Sequence, residues 1–236
     1  MDPSNKHVSE TFDAYEAKYA DAVNDAVAFS GLDVDFFTRV KADYIIDIAR
    51  KTFGRTEGLR LVDVGCGIGN FHPLLSRAFD DINGVDVSAA SIERARTANP
   101  SVSYAAYEGD TLPFPEASFD IAMAVCVVHH VPPAQWPEFM SEFRRVLKPG
   151  GLALVFEHNP LNPLSVHVVN NCPFDEDAVL LRAPELKKLF ASAGFSDPEG
   201  RFILSVPAFN SAFRSLDRVF SRLPFGAQYY VSARKS

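Results

Sequence analysis

In Leu61-Val62-Asp63-Val64-Gly65-Cys66-Gly67-Ile68-Gly69-Asn70, an apolar run meets a loop with glycine at every second position. Residues 59–64 read as a short strand that stops at Gly65, and a helix over 70–79 is expected next. Alternate glycines permit positive φ and let backbone approach a ligand closely. A helix start beyond them offers free N–H groups and a partial positive charge to an anionic group. A tight strand-to-helix turn without a ligand would use glycine in the same way, so the loop acquires meaning only from its surroundings.

Downstream, the pattern alternates. Strands are expected at 82–87, 102–107, 119–127 and 152–156, with helices at 88–98 and 134–147 between them. Such alternation implies right-handed crossovers and a parallel sheet covered on both faces. Upstream, Phe12, Tyr15, Tyr19, Val23 and Val27 recur at helical steps over 9–29, with Ser9 as N-cap and Gly31 as stop. Phe36, Phe37, Val40, Tyr44, Ile45 and Ile48 mark a second helix over 35–53 that Gly54 ends. The last third holds a helix over 184–193 closed by Gly194, strands at 201–206 and 228–233, and an apolar stripe (Phe209, Phe213, Leu216, Phe220, Leu223). The expected organisation is an N-terminal helical extension or lid over 1–54 followed by one α/β domain over 55–236.

Composition narrows the function. The chain has 236 residues, 47% hydrophobic and 22% charged, enough for a sizeable core. Its net charge is -7, which disfavours a nucleic-acid substrate. Cys66, Cys126 and Cys172 are widely spaced, so neither a disulfide framework nor a zinc site is expected. No obvious acidic cluster for a catalytic Mg²⁺ stands out, so no metal is expected, although scattered acids leave that one open. No run reaches the ~18 apolar residues of a membrane span, and a cytoplasmic protein is expected.

Further motifs follow in order: Asp86 at the end of the second strand, Gly109-Asp110 after the third, Ser118-Phe119-Asp120, and Leu147-Lys148-Pro149-Gly150-Gly151 before the fifth. A carboxylate placed like Asp86 can accept two ribose hydroxyls. Together with Asp63 and the glycine loop, these segments resemble the ordered motifs of class I S-adenosylmethionine-dependent methyltransferases, in the broad small-molecule group that includes quinone-biosynthesis enzymes. The likeness is close over residues 55–157.

The resemblance implies a Rossmann-like, mostly parallel seven-stranded sheet in the order 3-2-1-4-5-7-6, with strand 7 antiparallel and helices on both faces. It implies S-adenosyl-L-methionine as donor and S-adenosyl-L-homocysteine as product. It assigns Gly65, Cys66, Gly67 and Gly69 to the donor loop, Asp86 and Val87 to the ribose, and Gly109, Asp110 and Thr111 to the adenine. Cys126 falls near the methionine amine, Asp63 orders the loop from below, and Tyr19 can touch the methionine carboxylate. A nicotinamide-binding dehydrogenase would want glycine where Asn70 stands, and a non-catalytic domain would not need every cofactor position intact.

Methyl transfer is mainly alignment, and a base is needed only when the acceptor must lose a proton. His130 after strand 4 and His158 after strand 5 are the candidate bases; His129 and His130 are expected to point in different directions. Asp120 reads as structural and His72 as a first-turn helix residue before Pro73. The Asn/Asp-Pro-Pro-aromatic motif of nucleobase and amide N-methyltransferases is absent after strand 4. Glu157-His158-Asn159-Pro160-Leu161-Asn162-Pro163 reads as a shaped loop, with Glu157, Asn159 and Asn162 as candidate substrate contacts. Backbone capping by the asparagines is the alternative. The acids of 175–177 are expected to cap the next helix. A small-molecule acceptor in a largely apolar pocket is expected, whether secondary-metabolite, quinone-like, sugar or fatty, and the sequence does not choose between O-, N- and C-methylation.

From Arg201 onward six basic residues face one acid, Asp217. Arg214, Arg218 and Arg222 fall at four-residue steps beside the apolar stripe. A solvated basic face is the plain reading; a substrate lid or a transient contact with anionic membrane is the alternative, and a membrane is expected to be reached only through this helix.

Overall fold

The computed structural model describes residues 6–11, 19–28, 31–206 and 211–236. Seven strands are present: β1 (Arg60–Val64), β2 (Asp81–Asp86), β3 (Ser103–Ala106), β4 (Phe119–Val125), β5 (Leu147–His158), β6 (Phe195–Ile203) and β7 (Gln228–Lys235). They form one sheet in the order β3-β2-β1-β4-β5-β7-β6. β1 to β5 pair in parallel, and β7 runs antiparallel between β5 and β6. Besides the helical residues 6–11, the α-helices among the described residues are α1 (Tyr19–Val27), α2 (Val34–Phe53), α3 (His72–Leu75), α4 (Ala89–Ala98), α5 (Trp136–Val146), α6 (Pro163–Asn170), α7 (Ala183–Ser192) and α8 (Ser211–Phe220).

The central strands bury both faces because successive side chains alternate. Leu61, Met123 and Leu154 pack with Val40, Tyr44 and Ile45 of α2 on one face. Val62, Ala122 and Val155 pack with Phe143 of α5 and Leu186 and Phe190 of α7 on the other. Asp33 caps α2 by accepting from the Phe36 N–H at 2.7 Å, and Gly54, at φ 74°, closes it with its N–H on the Arg50 carbonyl. Lys41, although charged, lies buried on that helix.

Four elements differ from the sequence reading. The helix expected over 70–79 is one turn, and the chain beyond it tightens, with the Ala78 N–H on the Leu75 carbonyl three residues back at 2.9 Å. β5 begins at Leu147 and absorbs Lys148-Pro149-Gly150-Gly151 as a register shift opposite Phe119/Ile121. A Cβ on Gly151 would lie 2.8 Å from the Lys148 carbonyl oxygen, so glycine permits that close approach. β6 begins at Phe195, its pattern hidden by a shift between Ser196 and Glu199. The segment after β5 is partly helical: Asn162 caps α6 by accepting from the Leu164 and Ser165 N–H groups, with Pro163 in the first turn. Ser9 is not an N-cap; it lies within helical residues 6–11 and its hydroxyl donates to the Val87 carbonyl at 3.0 Å. Phe12 and Tyr15 lie outside the described residues.

Candidate active site

A cavity of about 640 Å³ opens where β1, β2, β4 and β5 end. The glycine loop forms one wall. Gly65, Gly67 and Gly69 all have positive φ, between 51° and 76°. A Cβ on Gly65 would meet Val127 Cγ2 at 2.5 Å, and one on Gly69 would meet the Tyr104 hydroxyl at 2.5 Å. Nothing lies within 4 Å of a Cβ on Gly67, which lines the cavity. Two glycines thus seat the loop on its neighbours while the third leaves room in front of it.

Asp86 holds the same loop. Its Oδ2 accepts the Gly67 N–H at 2.7 Å and its Oδ1 the Ser88 N–H at 2.9 Å. Burial raises its carboxyl to about 6, against the pull of those N–H groups. Each oxygen keeps a further acceptor position, and the residue borders the cavity. Behind the loop, Asp63 Oδ2 lies 3.2 Å from His72 Nε2, and His72 Nδ1 is hydrogen-bonded to the Tyr104 hydroxyl. His72 is fully buried as the first residue of α3. Asp120 accepts the Arg60 N–H and the Lys148 ammonium, a structural arrangement.

The opposite wall begins at Cys126, whose φ of 57° ends β4. Lys41 Nζ and Gln228 Nε2 approach its sulfur at 3.8 and 3.7 Å. Burial works to raise the thiol, but the Lys41 charge and His158 outweigh it and bring it down to about 7. Glu157 is fully buried; its Oε1 accepts the Val127 and Val128 N–H groups, and its Oε2 lies 2.5 Å from His129 Nδ1.

His129 and His130 do not diverge. Their ring centroids are 4.1 Å apart, and their Nε2 atoms lie 3.6 and 3.3 Å from Asp175 Oδ1. Burial opposes a charge on His129, yet Glu157 and Asp175 prevail and hold its pKa well above the usual range. His130 is lowered by burial and by the neighbouring His129 charge. Asp175 is lowered despite burial, through its bonds to both histidines. It faces the histidines instead of capping the helix after it.

His158 lines the cavity, with Nδ1 3.4 Å from the Ser165 hydroxyl. Potential ligand atoms of His129, His158 and Asp175 lie within 4.8 Å of one another, the one such group among the described residues. Hydrogen bonds to Glu157 and Ser165 already engage both imidazoles.

The structure gathers Asp63, Gly65, Cys66, Gly67, Asp86, Val87, Gly109, Cys126, His130, His158 and Asn162 around one cavity. Gly69 sits behind the loop, and Asp110 and Thr111 are exposed just beyond the cavity lining. Glu157 and Asn159, the candidate substrate contacts beside Asn162, are buried and do not line the cavity. Asn159 is spent on the Pro224 and Gly226 carbonyls and the Leu161 N–H. The Tyr19 side chain lies outside the described residues. Lys41, Asp175 and Gln228 border the cavity without having been singled out from sequence. Lys41 had a signal, since it stands four residues from both Phe37 and Ile45 on the apolar face of its helix.

The sequence profile described as a methyltransferase domain matches residues 62–155. Over 201 residues the chain is 31% identical to a ubiquinone biosynthesis O-methyltransferase of Chelativorans sp., an alignment covering 77% of this chain and 79% of that protein. The chain is a class I S-adenosylmethionine-dependent methyltransferase. The methyltransferase is also 32% identical over 145 residues to an uncharacterized methyltransferase of Synechocystis sp., spanning 59% of this chain and 68% of the other. Its fold matches a solved Thermotoga maritima structure described as an S-adenosylmethionine-dependent methyltransferase, possible histamine N-methyltransferase. There the TM-score is 0.70 at 20% identity, over 98% and 100% of the two chains. S-adenosyl-L-methionine is the methyl donor of this methyltransferase. Among the described residues no helix is long and apolar enough to cross a membrane.

Proposed function

We propose that this methyltransferase moves a methyl group to a hydroxyl of a small, largely apolar molecule, with His130 taking the hydroxyl proton. The observation that carries this reading is the His130–Asp175 pair at the cavity wall. An imidazole lowered by burial and by the His129 charge is neutral near pH 7. With Nε2–H directed at Asp175 Oδ1, 3.3 Å away, Nδ1 becomes the nitrogen that accepts a proton. Asp175 then stabilises the imidazolium, while His129 remains the partner of Glu157. The cavity wall is mostly apolar, including Val23, Phe37, Val127, Phe139 and Leu164, which favours an apolar acceptor.

The residues present fit the donor. The open space before Gly67 and the buried carboxylate of Asp86 suit a ribose, and both lie in the wall that Gly65, Cys66, Val87 and Gly109 continue. S-adenosylmethionine supplies an electrophilic methyl group on a sulfonium. On this reading Asp86 accepts from the ribose hydroxyls, Asp110 and Thr111 meet the adenine edge, Asp63 fixes the loop through His72, and Cys126 stands at the methionine end. Asn162 borders the acceptor, whereas Glu157 and Asn159 act by positioning. Residues 1–54 serve as cover: Val8, Val23 and Val27 line the cavity, and Ser9 is tied to the end of β2.

The test uses labelled donor and a panel of apolar phenols and quinols. His130→Ala should lower turnover by about 10²–10⁴ while S-adenosylhomocysteine affinity stays nearly unchanged. An active His130→Ala beside an inactive His158→Ala would move the base to His158, and full turnover in both would remove the base altogether. A chain lacking residues 1–30 should bind S-adenosylhomocysteine much more weakly; unchanged affinity would reject the cover.

A further inference from the structure

α8 is mounted inside out. Its one acid, Asp217, is fully buried: Oδ2 accepts the Tyr44 hydroxyl at 2.8 Å and the Leu204 N–H at 3.0 Å, and Oδ1 accepts the Ser205 and Val206 N–H groups. Its apolar residues face outward instead, with Leu216 43% and Val219 73% exposed. A surface helix ordinarily buries its apolar stripe and shows its charges. Here the polar side anchors the helix and the apolar side is presented.

The exposed apolar surface extends beyond the helix. Leu223 and Phe225 continue it, and Leu161, just before α6, and Leu164, in its first turn, join it. Asn162 Nδ2 donates to the Phe225 carbonyl at 2.7 Å, and Asn159 Nδ2 to those of Pro224 and Gly226, so the two segments are tied together. Among the described residues, Val179 is the one exposed large apolar side chain outside these segments. Leu164 and Phe225 also line the cavity, so this surface borders its mouth.

Arginine borders the same face. Asp217 spends its carboxylate on the interior, while Arg222 is exposed and Arg218 lies at the rim, paired with Asp47 and 5.7 Å over the Tyr44 ring.

We propose that this face docks on an anionic lipid bilayer, with the cavity mouth turned to the membrane. An outward apolar stripe flanked by arginine inserts among acyl chains and attracts acidic headgroups. A protein partner or second copy seated here would stop the cavity mouth, whereas a bilayer leaves it open to an acceptor dissolved in the lipid. That last consequence rests on the apolar-acceptor reading above; the docking does not.

Flotation of the full chain is the test, with phosphatidylcholine vesicles against vesicles containing about 30% phosphatidylglycerol at low salt. Binding to the anionic vesicles should be at least about tenfold stronger than to the neutral ones, and should fall by at least about tenfold in Leu216→Glu/Val219→Glu and in Arg222→Glu. S-adenosylhomocysteine affinity should be unchanged in those variants, which separates lost docking from lost folding. No flotation with anionic vesicles, or equal flotation of folded variants, overturns the proposal. So does a dimer, seen by light scattering, that Leu216→Glu/Val219→Glu dissolves. The readout needs no turnover, so it can fail while the methyl-transfer reading stands.

Discussion

Asp86 should make donor-site affinity depend on pH in a window set by its own environment. The buried carboxyl stands at about 6. Ribose hydroxyls donate best to the ionised form, so binding favours the state that has lost its proton. Affinity therefore strengthens as pH rises through about 6 and levels off above 7. At pH 5 about one carboxyl in ten is ionised, so S-adenosylhomocysteine should bind about tenfold more weakly there than at pH 7, or ~1.4 kcal/mol. Calorimetric titration in buffers of different ionisation enthalpy reads both the affinity and the proton released. Asp86→Asn isolates the cause. Its amide has one oxygen for the two N–H groups that two carboxylate oxygens now accept, so Gly67 or Ser88 loses its partner. Affinity should fall by ~2–3 kcal/mol and the pH slope should vanish. Constant wild-type affinity from pH 5 to 7, or an undiminished slope in Asp86→Asn, would refute the assignment, the second by placing the titration elsewhere in the cavity.

Two glycines of one loop should fail differently. Gly65→Ala, meeting Val127 at 2.5 Å with φ at 76°, should cost about 2–4 kcal/mol in chemical unfolding. Gly67→Ala should cost only about 1–2 kcal/mol for its left-handed backbone, yet weaken S-adenosylhomocysteine binding at least tenfold; equal losses in both assays for both variants would contradict this. His129→Ala leaves Glu157 buried without its partner and should destabilise by about 3–5 kcal/mol near pH 6. Because the His129 pKa is raised on folding, its contribution is complete below about 6.5 and is lost as pH rises through the folded value. Urea unfolding at pH 6 and pH 9 should show the wild-type advantage narrowing, and a constant gap would mean that the charge is not its source.

The half of the sheet that carries the glycine loop was legible because each motif is local: strand, turn and acid follow one another within a few residues. Asp175 was not, because its role depends on how the chain returns past β4 after α6, 45 residues beyond His130 in sequence. The histidine pair was misread for a local reason. Residues 128–130 form a 3₁₀ turn, in which neighbours stand roughly 120° apart, not the alternation of a strand. Both rings can therefore reach one carboxylate. The apolar stripe of α8 was visible as a pattern, but periodicity cannot say which side of a helix meets the protein. A single buried acid reversed it.

The place of β7 has a consequence for how the chain assembles. It is the last strand in sequence, yet it lies inside the sheet and is the neighbour of both β5 and β6. Until residues 228–235 are made and docked, β5 has an open apolar edge and β6 has no strand beside it. Such edges invite pairing with another chain. The first four strands of the order can zip up from sequence-near crossovers. The outer part must instead be held together by α7 packing on β6 until its central strand arrives. Folding of the outer sheet is thus inherently late and long-range, and crowding during synthesis bears hardest on that edge.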